Sequence, residues 1–293
     1  MASRRGIRAA VMDTGFAVAD RLERVGLAPV TSRVRRLAAR VIADTHEVDV
    51  DGLVVSGSLA AHGTYLHSLS GPVARSYELE LFTAAVRPGA TVLDCGAHLG
   101  LQTLVAARAA GPDGEVVAVE AAPATAAALR RSVGLNGFED RVEVVEAAAA
   151  SAPGPVRIFL HPWLDRAGVA DAASEPERIV EVPGVRLDDA LGDRRFDVAK
   201  IDVEGSEAEA VAGLERGLAR SAGATVFLEC HPKRLRALGV DPVAWLEGLA
   251  PGGRLELIDE GTRSLLPLPG RAEIERAVRE RTENFNVRWM LAA

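Results

Sequence analysis

The run Asp94-Cys95-Gly96-Ala97-His98-Leu99-Gly100 sets an acid in front of two glycines four residues apart, and Glu120 follows 26 residues after Asp94. Glycines at that spacing let a chain turn sharply and bring its backbone against a ligand. A carboxylate such as Glu120 has two oxygens with which to accept both hydroxyls of a ribose. A second cluster, Lys200-Ile201-Asp202-Val203-Glu204-Gly205-Ser206-Glu207, gathers three acids around one of the two lysines in the chain. Lys200 and Asp202, two residues apart, share one face of a strand. Carboxylates crowded at one strand end repel each other. They suit substrate orientation, general-base work or cation binding better than stability, with Lys200 offsetting the repulsion. The third cluster is Glu229-Cys230-His231. Glu229 and His231 again share a face, and a histidine there is a candidate base because its pKa lies near neutrality. Cys230 points the other way and, like Cys95, reads as core. No Ser/His/Asp or metal-type Cys/His spacing stands out.

The chemistry of the first cluster can be narrowed. Its pattern is D-x-G-x-x-x-G, not the G-x-G-x-x-G of a dinucleotide site. A pyrophosphate needs bare backbone N–H groups at a helix start, and an acid at the strand end would repel it. That acid suits a ligand carrying positive charge, such as the sulfonium and amino group of S-adenosylmethionine.

The surrounding pattern supplies elements to hold these groups. Thr91–Cys95 is a short apolar strand entering the glycine loop, and 102–110 is a helix stopped by Gly111-Pro112. Strands at 115–119 (ending on Glu120), 142–146, 196–202, 225–230 and 254–258 alternate with helices at 123–134, 207–219, 242–249 and 272–283. A last strand covers 286–292. This alternation predicts an α/β fold with a mostly parallel sheet covered on both faces. Between 151 and 187 the rhythm breaks: 156–160 and 179–185 read as strands flanking a polar loop with Trp163. Upstream, residues 46–70 alternate around Asp51-Gly52, a hairpin signal, and a helix over 77–86 precedes Arg87-Pro88-Gly89. Residues 1–45 read as amphipathic helices with a basic face. That stretch can pack against its own domain or against a second subunit.

Composition sets outer bounds. With 293 residues, 48% of them hydrophobic, the chain can bury a large core, and a net charge of −7 argues against a nucleic-acid binder. No apolar run approaches the roughly 20 residues that span a bilayer. Asp13 and Asp20 interrupt what would be the apolar centre of a signal peptide. Two cysteines far apart suggest a reducing compartment, so the expected location is the cytoplasm.

Taken together, these segments resemble the FkbM-type family of S-adenosylmethionine-dependent methyltransferases. The resemblance runs over roughly residues 75–232: Tyr77-Glu78, Leu93 to Gly100, Val119-Glu120 with Pro123, Asn136, Ala147-Ala148, Leu187-Asp188-Asp189, Lys200 to Glu207, and Glu229-Cys230-His231. His98 stands where many members have asparagine, and Ala121 departs from a common Glu-Pro pair. The resemblance implies a Rossmann-like class I methyltransferase fold, with a seven-stranded sheet whose last strand is antiparallel. It divides the chain into an N-terminal extension, 1–75, and a cofactor-binding domain, 76–293, with 151–187 as a substrate-side insertion.

It also implies cofactor contacts from Asp94, Gly96, Ala97, His98, Gly100, Glu120, Ala121, Glu146 and Ala147, with Asp202 beside the reacting centre. S-adenosylhomocysteine would be the product. Members commonly methylate hydroxyls on sugars or natural-product scaffolds, so the expected acceptor is a small molecule. Asp202 or His231 is then the base, assisted by Lys200, while Glu204, Glu229 and Trp163 line the acceptor side. No metal ligand is assigned and a divalent cation is not expected. N- or C-methylation, a nicotinamide-dependent oxidoreductase and a non-catalytic cofactor-binding protein are the alternatives.

Overall fold

The computed structural model describes residues 45–293 except 70, 72, 161–166 and 170–178. The helical reading of 1–44 and the placement of Trp163 therefore lie outside the described residues. His46–Gly57 and Ala61–Ala293 form one compact unit.

A hairpin opens it: β1 (Thr45–Val50) and β2 (Leu53–Ser58) turn through Asp51 (φ 51°) and Gly52 (φ 80°). Both turn residues are left-handed, as a two-residue hairpin with right-twisted strands requires. After α1 (Leu59–Ser68) and α2 (Tyr77–Ala85), the central alternation begins. It comprises β3 (Thr91–Cys95), α3 (Leu101–Ala110), β4 (Glu115–Glu120), α4 (Pro123–Leu135) and β5 (Val142–Glu146). Next come β6 (Ala148–Ala149), β7 (Gly154–Leu160), β8 (Ala167–Val169) and β9 (Ile179–Val185), which make a four-stranded sheet in the order β6-β9-β7-β8. The chain then runs through α5 (Leu187–Leu191), β10 (Val198–Ile201), α6 (Glu207–Ala212), α7 (Glu215–Arg220) and β11 (Thr225–Cys230). It ends with α8 (Pro232–Ala237), α9 (Pro242–Leu249), β12 (Gly253–Asp259), β13 (Ser264–Pro267), α10 (Arg271–Glu280) and β14 (Phe285–Leu291).

The main sheet has the order β13-β12-β14-β11-β10-β3-β4-β5. Its centre, β11-β10-β3-β4-β5, is parallel, and β14 inserts antiparallel between β11 and β12. This is a Rossmann-like arrangement, a parallel core followed by one antiparallel strand, as the resemblance implies. It carries eight strands where seven were expected, because β13 folds back on β12 as an antiparallel edge. The segment Ser264–Pro267 is short and ends on proline, a pattern that sequence reads as loop and that sheets admit only at an edge. The central strands are apolar on both faces, with Val92, Leu93, Val117, Ala118, Ala199, Ile201, Val226 and Leu228 all buried.

Two further departures have local causes. The segment 207–219 divides into α6 and α7, because the Gly213 carbonyl leaves the helical ladder to accept from Asp188 N–H at 2.9 Å. The Asp188 carboxylate then caps α7, accepting from Gly217 N–H at 2.7 Å and Arg216 N–H at 3.1 Å. Within 46–70, the expected hairpin ends at Ser58 and gives way to α1, whose kink at His62 (φ −128°) blurs the helical period. Asn136 docks the hairpin on α4: its amide accepts from Val54 N–H at 2.9 Å and donates to Val54 O at 2.8 Å.

Candidate active site

Five parallel strands deliver their carboxyl ends to one edge of the sheet, where open α/β folds hold ligands. At the end of β3, Asp94 is buried, and its Oδ2 accepts from Thr103 Oγ1 of α3 at 2.5 Å. Beside it, at the end of β4, Glu120 accepts from His98 N–H at 2.9 Å and Ala122 N–H at 2.8 Å. The carboxylate is thus oriented by backbone alone. The loop between them is held by Gly96 and Ala97, whose N–H groups both donate to Val119 O, at 2.9 and 3.1 Å.

Gly96 has φ 85°, and a Cβ there would lie 1.8 Å from the Asp202 carbonyl oxygen. A Cβ on Gly100 (φ 96°) would meet Leu129 Cδ1 at 2.5 Å. What the bare Gly96 admits in this structure is the backbone of Asp202, so the first cluster is pressed against the second. Asp202 continues the ladder past β10, its N–H donating to Cys95 O at 2.9 Å.

Lys200 lies beneath this edge, buried, with Nζ 2.6 Å from Glu78 Oε1, 3.3 Å from Asp202 Oδ2 and 3.5 Å from Asn286 Oδ1. Burial alone would lower its pKa. Glu78 and Asp202 outweigh that and hold it above the ordinary lysine value, so the ammonium stays charged. Glu78 is itself placed by the β12–β13 turn. Glu260 accepts from Tyr77 N–H at 2.7 Å and from Glu78 N–H at 2.8 Å, capping the start of α2. Arg263 lies over the Tyr77 ring and pairs with Glu80. The extra strand pair therefore fixes the partner of the buried lysine.

Glu204, Glu229 and His231, expected on the acceptor side, stand together beyond the ends of β10 and β11. Glu204 (φ 54°) turns back so that Oε2 stands 3.6 Å from His231 Nε2, while Arg234 donates to its carbonyl at 3.3 Å. Glu229 Oε1 accepts from Asn284 Nδ2 at 2.5 Å. Glu207, expected on a first helical turn, is fully buried, with Oε1 accepting from Gly205 N–H at 2.8 Å.

Three residues with no signal in the sequence join the site. Tyr65 of α1 sets its ring edge-on to His98, with centroids 4.3 Å apart. Its phenol is raised first by burial and then by the charges of Asp94 and Asp202. Thr103 and Asn284 were equally silent, since a lone threonine or asparagine on an alanine-rich or polar stretch has no distinguishing pattern. Ala121 follows Glu120 directly and is half-buried. Glu146 stands beside Glu120 at the end of β5, exposed and paired with Arg130 at 2.7 Å. From that turn it is Ala147 that reaches the cluster, its N–H donating to Glu120 O at 3.1 Å. Cys95 and Cys230 are buried in the core and their thiols are raised by burial.

These carboxylates give the site a pH response. Burial pushes Asp94 up to about 6, against the pull of its Thr103 hydrogen bond, and pushes Glu120 and Glu207 up to about 7. Each folded-state value exceeds the ordinary one of 3.8 or 4.5. Between those limits the folded protein holds protons that the unfolded chain has released, so stability falls as pH rises through the window. Differential scanning of the ligand-free protein should show a midpoint that declines from about pH 4.5 to about 7 and levels off above it. A positively charged ligand should bind more tightly across the same interval as the carboxylates ionise. A flat midpoint over that range would show that these groups do not titrate there.

The site fits a cationic nucleoside: Glu120 is fixed at the second strand end, and a buried acid precedes the glycine loop. Comparison with family models matches residues 94–248 to the methyltransferase FkbM domain. Among solved structures, a methyltransferase from Geobacter sulfurreducens is similar at 16% identity, over 88% of this chain and 96% of that one, with TM-score 0.45. A SAM-dependent methyltransferase from Aquifex aeolicus matches at 16% identity, over 78% and 98%, with TM-score 0.43. The O-methyltransferase from Bacillus cereus in complex with SAH matches at 17% identity, over 75% and 81%, with TM-score 0.43. Comparison with curated proteins gives no match. With more than half of its length matched, from the acid of the glycine loop to the end of α9, the chain belongs to the FkbM family of S-adenosylmethionine-dependent methyltransferases.

Proposed function

We propose that this enzyme methylates a hydroxyl group of a small molecule, a sugar or natural-product scaffold. Asp94, the Gly96–Gly100 loop and Glu120 would hold S-adenosylmethionine, which supplies a methyl group on a sulfonium leaving group. The observation that carries the acceptor reading is the pairing of His231 with Glu204 at 3.6 Å, next to Asp202 and over the same strand ends. A hydroxyl must lose its proton as the new bond forms, and a carboxylate or an acid-paired imidazole is the group to accept it. Lys200, 3.3 Å from Asp202, holds that side chain in place. The protein otherwise contributes alignment, which can supply much of the rate.

The small sheet β6-β9-β7-β8 and the 151–187 segment that forms most of it supply the acceptor specificity, since they differ most from the alternating core. Family membership removes the nicotinamide-dependent alternative.

The test is transfer of labelled methyl from S-adenosylmethionine to a panel of hydroxylated small molecules, read by mass spectrometry. With an acceptor in hand, Asp202→Ala should abolish turnover. His231→Ala should lower the rate roughly 10²–10⁴-fold, the usual contribution of a positioned base, with cofactor binding intact by calorimetry. Wild-type rates in both variants would overturn the assignment.

A further inference from the structure

We propose that Glu204, Glu229 and His231 form a divalent-cation site at the carboxyl ends of β10 and β11. One carboxylate oxygen from each glutamate and one imidazole nitrogen lie within 4.8 Å of one another. Neighbouring ligands held 2.0–2.2 Å from a shared ion lie roughly 3–3.6 Å apart, so side-chain movements of roughly 1–2 Å would close the set. Glu204 can supply them, being on a turn and the least buried of the three.

An independent observation calls for an ion here. Glu229 is 5% exposed and only one of its oxygens has a donor, Asn284. Its Oε2 is sealed from solvent with no hydrogen-bond donor reaching it. Against this carboxyl stands the carboxylate of Asp202, with Glu204 adding to the negative field. A buried carboxylate oxygen facing other carboxylates needs a proton or a cation between them. Neither nearby cation hydrogen-bonds to Glu229 Oε2. Lys200 pairs with Glu78 and Asp202. Arg234 comes no nearer than 3.9 Å to the Glu204 carboxylate and donates instead to its carbonyl.

The donor set indicates the ion. Two carboxylates and one imidazole make a mixed oxygen–nitrogen site, harder than a thiolate centre and softer than the all-oxygen sites of Mg²⁺ and Ca²⁺. Mn²⁺ and Zn²⁺ fit that description. Three protein ligands leave coordination positions open, and an acceptor hydroxyl could take one, which would lower its pKa. That role rests on the O-methylation reading, whereas the binding of the ion does not. With His231 engaged as a ligand, the proton acceptor becomes Asp202.

The experiment uses the full-length chain, stripped with a chelator and titrated with Mn²⁺. Free Mn²⁺ is followed by electron paramagnetic resonance, and S-adenosylmethionine binding is measured separately by calorimetry on the same preparation. One equivalent of Mn²⁺ should bind. Glu204→Gln and Glu229→Gln should each weaken it at least tenfold while remaining folded and still binding S-adenosylmethionine. Asp140→Asn, an exposed acid beyond the far end of α4, should titrate like the wild type. Absence of Mn²⁺ binding, with S-adenosylmethionine still bound, would show that a proton fills the gap between the carboxyls. That result would overturn the cation site and leave the methyltransferase untouched. Equal affinity in wild type and Glu204→Gln would overturn it as well.

Discussion

Lys200→Met should destabilise the protein by about 3–5 kcal/mol, the usual cost of leaving one member of a buried ion pair without its partner. The stranded group is Glu78, whose side chain is 10% exposed and whose oxygen sits 2.6 Å from the lost ammonium. Burial already raises Glu78, and only Lys200 opposes that rise. Glu78→Leu with Lys200→Met should recover most of the stability, because an apolar pair of similar volume replaces a buried ion pair at little cost. Turnover should not recover, since Asp202 has lost the charge 3.3 Å away that holds it. Urea unfolding of the two variants, with the Glu78→Leu single variant closing the cycle, measures the coupling. Equal stability of Lys200→Met and the double variant would mean that Glu78 finds another partner.

A comparable loss is expected from Gly96→Ala, for steric reasons. The new methyl would be 1.8 Å from the Asp202 carbonyl oxygen, and the offending atom is backbone, tied into the β3–β10 ladder. Relief requires that β3 and β10 part where both clusters meet. Overpacking of about 1–3 kcal/mol adds to about 1–2 kcal/mol for a side chain at left-handed φ. Gly89→Ala separates the two terms. Gly89 has φ 77° with no atom within 4 Å of its Cβ position, so it bears the conformational cost alone. Gly96→Ala should also lose S-adenosylmethionine binding, whereas Gly89→Ala should keep it. Matching denaturation midpoints in the two variants would falsify the close approach of Asp202.

Much of this was legible before any coordinates. Acids at strand ends, the D-x-G-x-x-x-G loop and the alternation of strands and helices all depend on neighbours within a few residues, and the chain states them directly. Asp94, Glu120, Asp202 and His231 therefore stand where their motifs predict, along one sheet edge. The eighth strand was not legible, since Ser264–Pro267 is a strand only because β12 offers it an edge. Nor was the break at Gly213, which depends on Asp188 arriving from 25 residues earlier.

The sequence alone determined the fold class, the cofactor class and the acids at the strand ends, because strand period and glycine spacing are local properties. Tertiary structure decided which of those acids work together. It brought Glu78 to Lys200 across 122 residues and Tyr65 to His98, and it paired Glu146 with Arg130. It also brought Glu204, Glu229 and His231, from two separate segments, within 4.8 Å of one another. Such pairings follow from strand order and from the energy of burying charge, and neither has a signature in residues close along the chain.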